Sequence, residues 1–279
     1  MSDKNYTIMH SDSATQYESE RSEPIYFNRP FDSRALERVE HAHLWAPPGS
    51  RIMRLPEIIA SMTSLKELKV GPGSVDGGVI SGLQQDDLPS SIEVLGIHTG
   101  SKAIKWPKVV LPNLKGLHSD APLKFKAECF PRLESISLYP DKSLTNVAEA
   151  LKLPITELNL LNVSIGSELF ELLDPTRLRV LGLLGGRGLV SLEGIQRLQL
   201  LSSVRLKNLT SLEDISALAQ LPALRRLDVQ YCKNIRNIDV LNELKVLEDL
   251  TLVGCGALGL SQVESKIASL VKCNIGATT

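Results

Sequence analysis

The feature that most constrains this chain is a six-residue phrase that returns at a fixed interval. It reads Leu178-Arg-Val-Leu181-Gly-Leu183, then Leu201-Ser-Ser-Val204-Arg-Leu206, Leu224-Arg-Arg-Leu227-Asp-Val229 and Leu247-Glu-Asp-Leu250-Thr-Leu252. Each copy begins 23 residues after the last, and Leu270-Val-Lys-Cys273-Asn-Ile275 keeps the interval once more. The last two apolar positions alternate with a third residue, so both point to one face of a strand while their neighbours point to the other. The rest of each unit must carry the chain back to begin the next strand beside the first. One such unit buries too little apolar surface to offset the ordering of its own backbone, so the units must stack.

The pattern L-x-x-L-x-L at this period resembles the leucine-rich repeats of the bacterial 22–23-residue class. It is similar to internalins and to the leucine-rich regulator of protein phosphatase-1. The resemblance runs over roughly residues 36 to 275 and is most specific from 178 onward. It implies an α/β right-handed leucine-rich repeat solenoid (a horseshoe) with about eleven parallel strands on the concave face and short helices or 3₁₀ turns on the convex face. It also implies that the concave sheet binds protein.

Repeats before this region begin at Leu65, Ile92, Leu114, Leu133 and Ile155, and an initial strand is expected over Glu40 to Trp45. Residues 1–23 are polar and are expected to be a disordered tail. Residues 24–38, with three aromatics in Pro24-Ile-Tyr-Phe-Asn-Arg-Pro-Phe, are expected to form an N-terminal cap. The solenoid proper is expected over 39–260, and a capping helix and strand over 261–279. Pro56 to Met62, Asp214 to Gln220, Asp239 to Leu244 and Pro140 to Leu153 carry the signals of short return helices or 3₁₀ turns.

Charge narrows the partners. The formal net charge is −1 with both signs interspersed, which gives no general pull toward nucleic acid or an anionic membrane. No apolar run approaches a membrane span, and the start shows no basic region followed by an apolar one, so the expected location is cytoplasmic. Cys232 and Cys255 each stand eight residues after their repeat's first Leu. A small side chain in that slot bonds the backbone of the turn, and inward-facing free thiols are expected there.

The outward strand positions are the candidate site. Expected partner-binding residues are Trp45, His98, His118, Tyr139, Asn159, Leu161, Leu184, Arg205, Lys207, Arg226, Asp228 and Tyr231. Tyr139, Leu161 and Leu184 share one offset in successive repeats, so they are expected to form an apolar row. Arg205, Lys207 and Arg226 are expected to form a basic patch beside it. An aromatic and aliphatic centre flanked by Arg is the composition of interface hot spots.

Other chemistries are weaker. His41, His43, His98 and His118 reach the same face, but a metal site needs three or more ligands around one ion. Gly185-Gly-Arg-Gly-Leu lacks the Lys-Ser/Thr of a phosphate loop, and neither G-x-S-x-G nor H-E-x-x-H occurs. The expectation is therefore a protein without catalytic residues, metal or cofactor, and without nucleic-acid or membrane partners. The function expected is that of a bacterial immunity protein whose concave face occludes a cognate toxin. The alternative is a secreted effector or adaptor that docks onto a host or regulatory protein.

Overall fold

A computed structural model of the chain describes residues 4–16, 22–50, 52–72, 74–100, 103–173 and 177–276. The chain divides into two compact units, Met1–Pro154 and Ile155–Thr279.

In the second unit the repeat is realised as six parallel strands in sequence order. They are β10 (Glu157–Leu161), β11 (Val180–Gly186), β12 (Ser203–Leu209), β13 (Arg226–Gln230), β14 (Asp249–Val253) and β15 (Lys272–Ile275); the earlier strands are defined with the first unit below. Because the period is constant, equivalent residues pair across every ladder. Leu158, Leu181, Val204, Leu227 and Leu250 stack in one column, and Leu160, Leu183, Leu206, Val229 and Leu252 in the next. All ten are buried.

The return segments obey the same interval. Ile195–Arg197, Ser216–Gln220 and Asp239–Glu243 are 3₁₀ turns that bury Ile195, Leu218 and Leu241. Each is entered through a side-chain oxygen that accepts the N–H two residues on: Ser191 Oγ from Glu193, Asp214 Oδ1 from Ser216, Asn237 Oδ1 from Asp239. The third of these oxygens belongs to Asn237, two residues before Asp239. Cys232 and Cys255 are buried and face backbone carbonyls, with Sγ of Cys255 3.3 Å from the Val253 oxygen. Burial pushes the Cys232 thiol up to about 11, so it is an inert core group at neutral pH.

The first unit holds the irregular repeats. Its main sheet comprises β1 (Asn5–Met9), β2 (Ser22–Tyr26), β3 (His41–Leu44), β4 (Glu67–Val70), β5 (Val94–Ile97), β7 (Gly116–Ser119) and β9 (Ser135–Leu138). The order is β2-β1-β3-β4-β5-β7-β9, parallel throughout. Two short strands, β6 (Ile104–Lys105) and β8 (Leu123–Lys124), pair separately. The α-helix Thr145–Leu151 is the longest return helix of the unit, and Asp141 Oδ1 accepts the N–H of Thr145 at its start.

One expectation is corrected. The polar N-terminus is not a disordered tail where it is described: Asn5–Met9 is a strand paired to β2 and β3, and Ile8 and Met9 are fully buried. Parallel backbone pairing and those two side chains order a segment whose polar neighbours conceal it; residues 1–3 and 17–21 lie outside the described residues. At the other end a short helix, Glu264–Ala268, leads into β15, where Cys273 is exposed and Ile275 half-buried, with no described strand beyond.

Leu227→Ala should destabilise the protein by about 2–5 kcal/mol, since it empties a fully buried column position; urea denaturation reads the loss. Glu149, on the helix Thr145–Leu151, ties neighbouring return segments together. It accepts from Lys152 Nζ at 2.7 Å and from the Ala127 N–H at 2.9 Å, and these hold its carboxyl down at about 2. Its contribution is therefore complete above the ordinary carboxylate range and is lost as pH falls toward 2. The stability difference between wild type and Glu149→Gln should shrink between pH ~7 and pH ~3 in denaturant titrations.

Candidate protein-binding face

The outer positions of the second unit fall into three columns. Leu161, Leu184, Lys207, Gln230 and Val253 pair in register across β10 to β14, so the aliphatic pair Leu161–Leu184 passes directly into Lys207. Asn159, Gly182, Arg205, Asp228 and Thr251 form the second, and Glu157, Val180, Ser203, Arg226 and Asp249 the third. Leu161 and Leu184 are half-buried on this face rather than inside the core.

Carboxylates accompany the arginines of the expected basic patch. Arg226 Nη2 lies 3.0 Å from Asp249 and Arg205 Nε 3.8 Å from Asp228, each carboxylate being on the next strand. Gln230 Nε2 also donates to both oxygens of Asp228, at 2.9 and 3.1 Å. Arg225 meets Glu248 in the same way. Such exposed pairs contribute at most about 1 kcal/mol each, so their effect is to pattern the face with neutralised pairs. Lys207 holds no carboxylate among the described residues. Lys207 therefore stands beside the aliphatic pair as a cation without a described carboxylate.

Asn159 does not serve as an exposed contact: it is only 4% exposed. Gly182, its neighbour on β11, has no side chain, and the Asn159 amide lies over it, with Nδ2 donating to Glu157 at 2.9 Å. Asn159 Oδ1 has no hydrogen-bond partner among the described residues.

A fourth repeating position lies just past the strands. Asn162, Gly185, Asn208, Tyr231 and Gly254 are each 23 residues apart, and all five have positive φ, from 54° to 81°. In that conformation the Asn162 and Tyr231 amides donate to the carbonyls of Leu184 and Val253 on the following strands. Glycine and Asn adopt left-handed backbone readily, whereas for a bulky residue it costs about 1–2 kcal/mol. Tyr231 alone among these five carries that cost. It is 45% exposed, its ring packs over Gly254, and its hydroxyl bonds to no described residue. Strained residues of this kind concentrate at functional sites.

The remaining candidates belong to the first unit. Tyr139 follows β9, is half-buried, and accepts the Asn146 side chain on its carbonyl at 2.7 Å. Trp45 and His98 are half-buried just beyond β3 and β5. His118 Nδ1 is 3.0 Å from Ser137 Oγ, and His41 Nδ1 3.3 Å from Glu67. His43 meets the Gly71 carbonyl, and burial lowers its pKa. No three His, Cys, Asp or Glu side chains converge as a metal site among the described residues. Nor is any described helix long and apolar enough to cross a membrane.

Among solved structures the chain is similar to an internalin (InlF) from Listeria monocytogenes. Identity is 15% over 86% of this chain and 68% of that one, with a TM-score of 0.51. The fold is that of a leucine-rich repeat protein. An internalin C2 from the same bacterium, at 17% identity over 88% of this chain and 89% of that one, scores 0.43. A leucine-rich repeat protein of Leptospira interrogans, at 15% over 91% and 82%, scores 0.45. No protein-family model matches the chain, and no curated protein is significantly similar to it in sequence.

The leucine-rich repeat register yields a direct test of the strained tyrosine. Tyr231→Asn restores the residue type used at positions 162 and 208. It should leave thermal stability unchanged or raise it by about 0.5–1 kcal/mol, measured by denaturation, because the backbone strain is relieved.

Proposed function

We propose that this leucine-rich repeat protein is a non-catalytic binding module for another protein. We assign it the specific task of an immunity protein that neutralises a toxin by covering it. The observation that carries the reading is Tyr231: an exposed aromatic held in a conformation that its counterparts leave to Asn and Gly. Large aromatics at the centre of an interface supply much of its affinity, and a rigid backbone spares the entropy of ordering them.

The partner surface that fits has three parts. An apolar strip would cover Leu161 and Leu184, a carboxylate would meet Lys207, and a hydrogen-bonding group would reach the Tyr231 hydroxyl. The Arg205–Asp228 and Arg226–Asp249 pairs flank this centre and discriminate against partners that would leave one member buried and unpaired. Occlusion needs no catalytic group and no moving part, which suits a face of fixed register. The producing cell's cytoplasm is the compartment in which such a protein acts.

The test is co-expression with the products of neighbouring genes, reading growth rescue and co-purification. Tyr231→Ala and Leu161→Ala should each weaken the captured complex by more than about 1 kcal/mol, measured by calorimetry, while the circular dichroism of the free protein is unchanged. Capture of a regulatory protein without growth rescue would replace the immunity role with that of an adaptor. Full affinity in both variants would place the binding surface elsewhere.

A further inference from the structure

The order β2-β1-β3-β4-β5 in the first unit contains a reversal. The chain leaves β1 in one direction along the sheet and leaves β3 in the other. Right-handed crossovers that run in opposite directions must lie on opposite faces. The burial of Thr7 and Met9 meets that expectation: they lie on the face that His43 shares, yet they are 1% and 0% exposed. Where adjacent strands send their connections to opposite sides, a crevice opens at their carboxyl ends, and it is the place where open parallel sheets bind small ligands.

A pocket of about 580 Å³ occupies that position, within the range of small-molecule sites. His10 and Asp12 follow β1, Phe27 follows β2, and Pro47, Ile52 and Arg54 follow β3. Its walls are pinned to one another. Asn28 accepts the Ser11 N–H at 2.8 Å and donates to Ser11 Oγ at 3.0 Å, and the His10 ring stands edge-on to Phe27 at 5.7 Å. Ile52 is bridged to Val75, with its N–H on the Ser74 carbonyl.

The lining combines apolar groups, Phe27, Pro47, Ile52 and Met53, with Arg54, His10, two serines and one carboxylate, that of Asp12, which stands against His10. Arg54 pairs with no carboxylate among the described residues. His10 Nδ1 faces the Asp12 N–H at 3.3 Å and the Asp12 carboxylate at 3.5 Å. Where Nδ1 accepts the Asp12 N–H, the ring's proton sits on Nε2 and is free to donate. A guanidinium that holds no described carboxylate, an imidazole and apolar lining groups define the ligand class.

We propose that this pocket binds a small organic carboxylate, its apolar body along Phe27, Ile52 and Met53 and its charge on Arg54 and His10. The site lies wholly in the first unit and does not rest on the protein-binding reading, so either can fail alone.

The experiment is isothermal titration of the full chain with butyrate, octanoate, phenylacetate and 4-phenylbutyrate, with 4-phenylbutyramide and acetate as controls. At least one apolar carboxylate should bind saturably, about tenfold or more tighter than either control. Arg54→Met and Met53→Gln, both at exposed positions, should keep the wild-type melting temperature. Arg54→Met should lose about tenfold in affinity for the carboxylate and bind the amide unchanged. Met53→Gln should weaken the apolar carboxylates and leave acetate as it was. The proposal is overturned if no carboxylate of the panel binds saturably, if the amide binds as tightly as the acid, or if Arg54→Met binds like wild type.

Discussion

The parallel backbone ladder, repeated at one unvarying interval, is the constraint on which the second unit depends. Once β10 and β11 pair with Leu158 opposite Leu181, the constant 23-residue spacing brings every later equivalent into the same column. The apolar columns then stack without a change of register, and a slip by one residue would turn each of them to solvent. The same ladder sets the capping oxygens of Ser191, Asp214 and Asn237 in line, so core, turns and caps all answer to a single spacing.

That spacing also governs charge. Arg205 and Asp228, Arg225 and Glu248, and Arg226 and Asp249 are each 23 residues apart, hence neighbours on adjacent strands. A cluster of basic residues along the chain therefore becomes, in space, a set of pairs with Lys207 left over. Long-range attraction of a polyanion is weak for such a surface, while short-range fit against a protein remains open to it.

Strands β3 to β5, β7, β9 and the whole of β10 to β15 were legible in the sequence, because Leu, Ile and Val at the inward positions write the pleat directly. So were the inward thiols of Cys232 and Cys255. Other features were not. Strands β1 and β2 carry no copy of the phrase, and Met9 and Thr7 are buried on the face that repeats leave open, so the usual alternation is missing. Asn159 reads as an outward polar residue, and only the glycine 23 positions later, Gly182, reveals the space it fills. The charge pairing and the left-handed position at Tyr231 follow the same 23-residue spacing, but no single residue type marks either of them along the chain.

The first unit spends its outer face differently. There His41, His43 and His118 are engaged with Glu67, Gly71 and Ser137, and the sheet's first strand is buried on both sides. A histidine held by a neighbouring strand is a poor anchor for a partner, since binding must first replace a bond already made. Tyr231 stands in the opposite condition: its hydroxyl bonds to no described residue, its ring is supported by Gly254, and its backbone carries strain that the fold would lose by substituting Asn. A side chain that the fold would be better without is explained by what it contacts outside the fold. On that ground the proposed recognition of another protein falls to the second unit, and the proposed carboxylate site at the strand reversal to the first.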